Sequence, residues 1–279
     1  TTRPTPTPPT TTTPRGWADV LGPQRVAAAE YAKRRVLAET TETRFGTFVH
    51  DSAHDDRVGA TAFVDVRLPG EPPTDPADDR EARQLLARAR VAYDRVDLDH
   101  RVFAGVDDAT FARLAPLLRE RGYEQEVYWA LVAHLTDAPA EQDSSLTVDA
   151  RRHGSDAALA VHESVGRGSG TVAYAAALAR ALDGTELVAS REGEPIGAAG
   201  WYVHRGVDGD DPVARLTHVG VRPAAQAEGV GGDLVRAVVD RCPLPRERIV
   251  VCATADHVGF YESVGFTRND TLWRFARLP

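Results

Sequence analysis

VRPAAQAEGVGGDLVRAVVDRC, residues 221–242, places three glycines where a helix-like stretch begins. A glycine weakens a helix by up to about 1 kcal/mol relative to alanine. The first N–H groups of a helix have no partner inside it, and the helix dipole is positive at that end. A turn of small residues before such an end lets an anion reach the backbone. Gly229, Gly231 and Gly232 therefore predict a loop that binds phosphate groups, and a diphosphate fits it.

Two other phosphate-binding motifs do not fit this stretch. A Walker A loop needs Gly-Lys followed by Ser or Thr, whereas the chain has Gly231-Gly232-Asp233. A dinucleotide-binding fingerprint needs Gly-x-Gly-x-x-Gly after a strand. The chain instead has Gln-x-x-Gly-x-Gly, which begins at Gln226, five residues after the expected strand end at Val221. The turn before a helix suits a nucleotide, but this spacing is wrong for NAD.

The full spacing Val-x-Pro-x-x-Gln-x-x-Gly-x-Gly resembles the acyl-CoA pyrophosphate loop of the GNAT acetyltransferase superfamily. A second segment, GFYESVGF at residues 259–266, is similar to the Phe-Tyr-x-x-x-Gly-Phe segment of that superfamily. The two segments stand in the expected order, separated by one helix and one strand, and the resemblance covers residues 146–279. It implies an α/β (α+β) fold in which helices flank a mixed, mostly antiparallel sheet.

The resemblance also implies where an acyl-CoA would bind, with acetyl-CoA as the default donor and no metal. Pantetheine would bond to the main chain of the strand before the loop, and the pyrophosphate would lie on amides of the loop. The residues concerned are Val219, Gly220, Val221, Gln226, Ala227, Glu228, Gly229, Val230, Gly231 and Gly232. Glu228 departs from the family, because relatives often carry a basic residue there. No Lys or Arg lies between Ala224 and Gly232, so we expect a weaker affinity for the 3′-phosphate of the nucleotide.

In that family an amine attacks the thioester directly. A base must take a proton from the amine, whose pKa in water is about 10.4. Tyr261 matches the tyrosine that hydrogen-bonds the departing thiolate in the family, and it is expected to contact the acyl donor. The alternative is that Tyr261 packs the short helix onto the sheet, a role that Phe260 could also fill.

The resemblance leaves several candidates for the base. Relatives often use a carboxylate or a histidine on the strand before the loop. If residues 213–221 form one regular strand, alternation puts Arg215 and Thr217 on the same face as Val219 and puts His218 on the other. Neither Arg215 nor Thr217 is a good base, and Thr217 is the candidate that we retain from this strand.

Further candidates for the base lie on two helices. His162 and Glu163 lie on the first helical segment of this half, which usually walls the acceptor site in the family, and we select Glu163. Asp256 and His257 begin the short helix that contains Tyr261, where an N-cap is the more ordinary role. The catalytic residues expected from the sequence are Tyr261, Glu163 and Thr217.

The length of 279 residues favours two domains. Residues 1–16 are a Pro/Thr-rich tail, residues 17–135 a first domain, residues 136–145 a polar linker and residues 146–279 the domain that contains the loop. Both halves end with a helix, a Gly-aromatic pair and a strand that contains Trp. The matching residues are Gly122-Tyr123 with Trp129, and Gly265-Phe266 with Trp273. This similarity predicts two tandem copies of one fold.

The first copy lacks a pyrophosphate loop. RLPGEPPTDPADDREAR, residues 67–83, stands where that loop is expected. Its prolines remove N–H donors, and Asp75, Asp78 and Asp79 would repel phosphate. We therefore expect a degenerate GNAT-like domain that has lost CoA binding and that shapes the acceptor pocket or stabilises the pair.

The composition favours some classes of partner and one cellular compartment over others. The net charge of -8 argues against a nucleic-acid partner, which needs clustered Lys and Arg, and weakly favours a cationic small substrate. Asp208, Asp210 and Asp211 could attract such a substrate, although a solvated loop is the more ordinary interpretation. No apolar run approaches the roughly 20 residues of a membrane span, no apolar leader begins the chain, and only Cys242 and Cys252 are present. We expect a cytoplasmic protein without a membrane partner, either a monomer or a homodimer.

These features together predict an acyl-CoA-dependent N-acyltransferase that moves an acetyl group from acetyl-CoA to the amine of a small molecule. The sequence does not identify that amine. The missing base on the strand leaves open a non-catalytic CoA-binding or regulatory protein. The unusual Glu228 leaves open another donor, such as an acyl carrier protein, while the acidic charge speaks against an aminoacyl-tRNA.

Overall fold

The computed structural model describes residues 23–57, 59–75, 78–134, 145–166, 169–182, 184–205 and 212–278. Within these residues the chain forms seven helices and twelve strands, and all of the strands belong to one sheet. The tail at residues 1–16 and the linker, apart from Ser145, lie outside the described residues, as do Asp208, Asp210 and Asp211.

The helices are α1 (Pro23–Arg35), α2 (Arg80–Arg95), α3 (Asp108–Glu120), α4 (Asp156–Ser164), α5 (Ser169–Ala181), α6 (Val230–Arg241) and α7 (Ala255–Ser263). The strands are β1 (Glu39–Thr43), β2 (Gly46–His50), β3 (Ala62–Val64), β4 (Arg101–Gly105), β5 (Glu124–Ala133), β6 (Thr147–Arg152), β7 (Thr185–Arg191), β8 (Glu194–His204), β9 (Val213–Leu216), β10 (Gly220–Val221), β11 (Ile249–Thr254) and β12 (Phe266–Arg277).

The sheet has the strand order β1-β2-β3-β4-β12-β5-β11-β9-β8-β7-β6, and the short β10 pairs with β8 beside β9. The pairs β3–β4 and β9–β11 are parallel, and the other pairs formed by described residues are antiparallel. The predicted mixed, mostly antiparallel sheet with flanking helices is therefore confirmed.

The last strand of each half pairs with the other half. β5, which ends the first half, lies between β11 and β12, and β12, which ends the second half, lies between β4 and β5. Phe266 of β12 packs in the core under α6 and α7, whereas Phe275 of the same strand packs in the core under α2 and α3. Each half thus contributes one strand to the centre of a continuous sheet.

The similar chain ends of the two halves meet at this centre. Gly122 and Gly265, the glycines that precede β5 and β12, both have positive φ angles, +76° and +93°. Trp129 follows Gly122 by seven positions and Trp273 follows Gly265 by eight. The extra residue is accommodated by an irregularity in β12 between Arg268 and Asp270.

The two faces of the sheet carry different helices, as the alternation of side chains along the strands shows. Leu131 of β5 faces the core under α6 and α7, while the adjacent Ala130 faces α1. Phe275 faces the core under α2 and α3, while the adjacent Ala276 again faces α1. Helix α4 packs on the α1 face, against Ala198 of β8. Helix α1 therefore lies across the junction of the two halves, opposite α6 and α7.

The structure also shows the lengths of the helices, the state of the two cysteines and the arrangement of possible metal-binding side chains. No helix in the described part of the chain is long and apolar enough to cross a membrane. Cys242 is buried, Cys252 is half-buried, and both are free thiols. In the same part of the chain, no group of three His, Cys, Asp or Glu side chains is arranged to hold a metal ion.

Candidate active site

The glycine-rich stretch forms an open turn that leads into α6. Gly229 is the N-cap of α6 in a left-handed conformation, with φ +86°, and it provides no side-chain cap. The first helical hydrogen bond runs from Asp233 N to Gly229 O, at 3.1 Å, so the N–H groups of Val230, Gly231 and Gly232 have no acceptor within the helix. The turn from Gln226 to Gly229 is exposed. These amides have the arrangement that an anion at a helix N-terminus requires.

The surroundings of the three glycines differ. A Cβ atom on Gly229 would meet nothing within 4 Å, but the positive φ disfavours any other residue. A Cβ on Gly231 would lie 3.4 Å from the ring of Phe260, and one on Gly232 would lie 3.4 Å from Val264 and from the guanidinium of Arg236. These are ordinary van der Waals distances, so α7 lies close to both positions without excluding a small side chain there.

Two arginines lie beside the turn, although the turn itself has none. Arg191, the last residue of β7, pairs with Glu228 at 2.7 Å. Arg236, one turn into α6, pairs with Asp233 at 2.6 Å. Arg191 stands 37 residues before its partner, so local spacing gave no signal for it. The charge of Glu228, which stands where relatives often carry a basic residue, is thus compensated by a cation from a neighbouring strand.

The first-half helix terminus that follows residues 67–79, where the sequence led us to expect a loop of this kind, is occupied by the protein itself. Asp79 is the N-cap of α2, and its carboxylate accepts a hydrogen bond from Ala82 N at 2.9 Å. Arg113 of α3 grips the same carboxylate through Nε, at 2.7 Å, and Nη2, at 3.1 Å. Nη1 of Arg113 also donates to the carbonyl of Gly70 at 3.0 Å. A buried carboxylate thus occupies the helix end that an external anion would need.

Strands β9 and β11 part beside α6. They are paired at Ala214 with Ile249 and at Arg215 with Val250. Beyond those residues the chain continues into β10, which pairs with β8 rather than with β11. An opening therefore forms in the middle of the sheet, between β10 and the end of β11.

The strand before the turn is not regular, which corrects the alternation assumed for residues 213–221. Leu216 is opposite Trp201 and Gly220 is opposite Ala198, so four steps on one strand face three on the other. Thr217 N still donates to Gly200 O at 2.7 Å. One extra residue lies within this segment, and such a bulge changes the face on which later side chains lie. His218 consequently lines the same cavities as Thr217, contrary to the prediction.

Two cavities meet at this bulge. The larger, here called the sheet cavity, has a volume of about 400 Å³ and extends from the opening between β10 and β11 to α1. The smaller, here called the helix cavity, has a volume of about 70 Å³ and lies under α4 and α5. Both cavities are lined by Lys33, Arg215, Thr217 and His218.

Tyr261 lies in the sheet cavity together with Thr217 and Val219. Its side chain is largely buried, and its ring contacts Phe260 and Phe266 at centroid distances of 5.0 and 5.8 Å. The structure thus brings Tyr261 and Thr217 to one cavity. Phe260 also packs α7 onto α6, because its ring would be the nearest neighbour of a Cβ atom on Gly231.

The structure does not bring Glu163 to either cavity. Its side chain is exposed on α4, whereas the preceding His162 is buried and lines the helix cavity. Consecutive helical residues point about 100° apart, so the choice between them depended on which face of α4 packs on the sheet. At α7 the N-cap is Thr254 rather than Asp256, and Thr254 Oγ1 lies 2.9 Å from His257 Nδ1.

His162 belongs to a buried cluster around Glu186. Its Nε2 lies 3.3 Å from Glu186 Oε1, and Gly154 N donates to Glu186 Oε2 at 2.9 Å. His153 lies on the other side, 3.8 Å from the same carboxylate, and burial lowers the pKa of His153. The Nδ1 atom of His162 is buried and has no hydrogen-bond partner among the described residues. It faces Gly220, where a Cβ atom would lie 3.0 Å away.

Helix α1 of the first half completes the walls of both cavities. Arg215 of β9 pairs with Glu30 of α1 at 2.8 Å, and Lys33 pairs with the same carboxylate. Burial alone would raise the pKa of Glu30, but the charges of Lys33 and Arg215 hold it well below its ordinary value. Tyr202 of β8 also donates to the carbonyl of Ala29 at 2.6 Å. Residues 185 positions apart in the chain thus meet at one site.

Comparisons with known proteins agree with this geometry. Residues 183–268 match a family model described as an acetyltransferase (GNAT) domain, a range that includes Thr217, the glycine-rich turn and Tyr261. No curated protein matches the sequence.

Solved structures share the fold over most of the chain. A GCN5-related N-acetyltransferase from Kribbella flavida is 18% identical, with 92% of this chain and 96% of that chain covered and a TM-score of 0.64. A functionally unknown conserved protein from Staphylococcus epidermidis is 13% identical, with coverages of 88% and 96% and a TM-score of 0.61. A tandem GNAT protein from the clavulanic acid biosynthesis pathway is 13% identical, with coverages of 78% and 74% and a TM-score of 0.55. Residues 183–268 are therefore a GNAT acetyltransferase domain, and the chain around them has the GNAT fold.

Proposed function

We propose that this protein is an acyl-CoA-dependent N-acyltransferase that transfers an acetyl group from acetyl-CoA to the amine of a small molecule. The observation that carries the proposal is the opening between β10 and β11, which lies beside the uncapped N-terminus of α6 and contains Tyr261. A diphosphate on the turn would place a thioester arm along the exposed edge of β10.

The donor site would use the main chain of the residues predicted from the sequence. The amides at the start of α6 would bind the diphosphate, and the backbone of residues 219–221 would hold the pantetheine arm. Arg191 and Arg236 offset the charges of Glu228 and Asp233 beside the turn, and their remaining N–H groups could also donate to the diphosphate. Charge-assisted hydrogen bonds from such guanidinium groups are stronger than neutral ones.

We assign the proton acceptor to His162 rather than to Glu163 or Thr217. In the neutral tautomer that donates to Glu186 through Nε2, His162 keeps a lone pair on Nδ1. That atom is buried, unpartnered and directed at the strand along which the thioester would lie. An attacking amine has a pKa of about 10.4 and must lose a proton, which a neutral imidazole can take directly or through water.

Tyr261 and Thr217 would act on the other side of the reaction. Tyr261 would donate a hydrogen bond to the sulfur of CoA as its negative charge develops. The Thr217 hydroxyl is buried without a partner among the described residues, at the point where the two cavities meet. We therefore keep Thr217 in the site as a hydrogen-bond donor to a ligand and not as a base.

The first half would be a degenerate GNAT copy that has become part of the second. Its α2 terminus holds Asp79 in place of a phosphate, and its strand β5 and helix α1 complete the sheet and the cavity walls of the other half. A cytoplasmic location, a monomer or homodimer, and the absence of nucleic-acid and membrane partners remain predictions from composition.

The donor site is tested by a matched pair of substitutions at the turn. Gly229→Asp and Gly229→Asn share the same shape and the same backbone conformation, and Asn tolerates a left-handed conformation. We expect the aspartate to abolish CoA binding in calorimetry because its charge repels the diphosphate, and the asparagine to weaken binding only modestly. Transfer itself is tested by thiol release from acetyl-CoA with a panel of amines. Equal CoA affinities in both variants would overturn the donor site, and CoA binding without thiol release would favour a non-catalytic protein.

A further inference from the structure

An excess of positive charge faces the sheet cavity from the α1 side. Arg34, Lys33 and Arg215 line it, and Glu30 is the carboxylate that lines it with them. Lys33 and Arg215 share Glu30, so one carboxylate faces two cations. The residues around Arg34 in the described chain provide no ion-pair partner for its guanidinium, which donates through Nη1 to the carbonyl of Gly59 at 3.2 Å.

Two hydrogen-bond donors of this wall are buried and unused. The hydroxyl of Tyr31 and the Nε atom of Arg34 are buried atoms with no hydrogen-bond partner among the described residues. Tyr31 is 3% exposed, and burial raises its pKa, so its hydroxyl keeps its proton. Buried donors without partners are costly, and native proteins satisfy almost all of them. A ligand oxyanion in the cavity would accept from both and would offset the excess charge.

The diphosphate of CoA cannot be this anion. Helix α6, whose N-terminus would hold it, packs on the face of the sheet opposite α1. The part of the donor that enters the sheet opening is an uncharged pantetheine arm. The anion that meets Tyr31 and Arg34 must therefore belong to another ligand group, on the α1 side of the sheet cavity.

We propose that the acceptor carries a carboxylate or phosphate group in addition to its amine, and that Tyr31, Lys33 and Arg34 of α1 bind that group. The proposal rests on the proposed transferase function and gives it a substrate class, an anionic amine. It differs from the cationic substrate that the net charge of the chain favours. Local charge decides recognition, because charges beyond about 8–10 Å are screened by salt. Burial lowers the pKa of Lys33, and a bound anion would oppose that effect.

Matched acceptors test this directly. The probes are glycine with glycinamide, β-alanine with β-alaninamide, and glucosamine 6-phosphate with glucosamine, which separate carboxylate from phosphate. We expect at least one anionic member to exceed its neutral partner by about tenfold or more in kcat/KM, as charge-assisted hydrogen bonds would give. Arg34→Gln and Tyr31→Phe should reduce that preference through KM while leaving the affinity for CoA unchanged. Arg35→Gln is the control, because Arg35 lies on the same helix, is exposed, and donates to Thr47 instead.

Binding of the same probes to the CoA complex, measured by calorimetry, separates this proposal from the transferase proposal. Tighter binding of an anionic probe that Arg34→Gln weakens about tenfold supports the anion site even if no thiol is released. Acylation of neutral and anionic partners at equal rates overturns the anion site and leaves the transferase intact. A preference that persists in Arg34→Gln and Tyr31→Phe, or no binding of any anionic probe, also overturns it.

Discussion

The Nδ1 atom of His162 lies 3.0 Å from the position that a Cβ atom on Gly220 would take. Helix α4 can approach β10 this closely because Gly220 has no side chain. The contact holds the imidazole against the backbone segment that we assign to the thioester arm. Glu186 fixes the ring from the other side, through His162 Nε2 at 3.3 Å. The proposed base His162 is therefore held between the carboxylate of Glu186 and strand β10, along which the donor would lie.

Removing the imidazole should affect the chemical step and not the donor affinity. We expect His162→Gln to lower kcat by about a hundredfold or more, as for other general bases, while the Kd of CoA stays within about twofold. Steady-state thiol release and calorimetry on the same preparations measure the two effects. The matched control is Glu163→Gln, which changes an exposed neighbour on the same helix and should leave kcat unchanged. The opposite pattern would restore Glu163 as the base.

Gly220→Ala tests the contact itself. The added methyl group must displace His162 or α4, since 3.0 Å is too short for a methyl contact with a ring nitrogen. We expect kcat to fall by about ten- to a hundredfold, because small displacements of a catalytic group are costly. A neighbouring substitution of similar size, Ala224→Ser at an exposed position before the turn, serves as the control. Wild-type turnover in Gly220→Ala would mean that the position of His162 has no catalytic importance.

Tyr261→Phe separates the hydroxyl from the packing of the ring. The phenyl ring keeps the contacts with Phe260 and Phe266, so the melting temperature should change by little. Loss of a donor to the departing thiolate should lower kcat by about tenfold or more. Comparison of kcat with thermal melts distinguishes the roles. If turnover is unchanged, the hydroxyl has no part in the transfer and Tyr261 is a packing residue.

The Asp79–Arg113 pair predicts a pH-dependent stability. Hydrogen bonds from Arg113 lower the pKa of Asp79, although burial opposes them. A carboxyl group whose pKa is lower in the folded state stabilises the fold above its unfolded value of about 3.9, and the contribution is lost as the pH falls towards the folded value. Asp79→Ala should cost about 3–5 kcal/mol at pH 7, because it leaves Arg113 buried without its partner. The difference in free energy of unfolding should narrow below about pH 4.

Denaturant unfolding at several pH values measures that difference. Asp78→Asn is the control, because Asp78 is exposed and lies 4.0 Å from Arg83, which is also exposed. Its effect on stability should be within about 0.5 kcal/mol at every pH. A constant penalty for Asp79→Ala from pH 3 to pH 7 would mean that packing, and not charge, makes Asp79 important.

Much of the structure of the second half could be predicted from the sequence, because it depends on short local patterns. The glycine-rich turn, the helix after it and the position of Tyr261 each depend on a few adjacent residues, and the structure has the predicted turn and helix. The bulge at residues 217–219 could not be predicted, because a single extra residue does not change the hydrophobic pattern of a strand in a recognisable way. That one residue explains why alternation misplaced His218.

The residues that the first half contributes to the site could not be predicted from the sequence either. Glu30, Lys33 and Arg34 occur in an ordinary charged helix, and nothing local indicates that this helix lies across a sheet formed mostly by later residues. The pairing of His162 with Glu186 likewise joins residues from a helix and a strand, 24 positions apart. Contacts of this kind depend on topology, which periodicity and motif spacing do not encode.

The exchange of final strands predicts that the two halves cannot fold separately. β5 and β12 pair along almost their whole length, from Phe266 with Ala133 to Ala276 with Glu124. A separated first half would expose the edge of β4, and a separated second half would expose the edge of β11, because each loses its neighbour from the other half. We expect residues 1–140 and 141–279, expressed alone, to be aggregated or unfolded, and to form a soluble complex when expressed together.

The same arrangement gives a test in the intact chain. Phe275 is fully buried in the core of the first half, stacked on Phe111 at a centroid distance of 5.9 Å, although it belongs to the last strand of the chain. Phe275→Ala should cost about 3–5 kcal/mol, and hydrogen exchange should show the loss of protection in α2 and α3 as well as in β12. Leu278→Ala, at the exposed position after the same strand, is the control. Two soluble, cooperatively unfolding halves, or a loss of protection confined to the second half after Phe275→Ala, would contradict the exchange of strands.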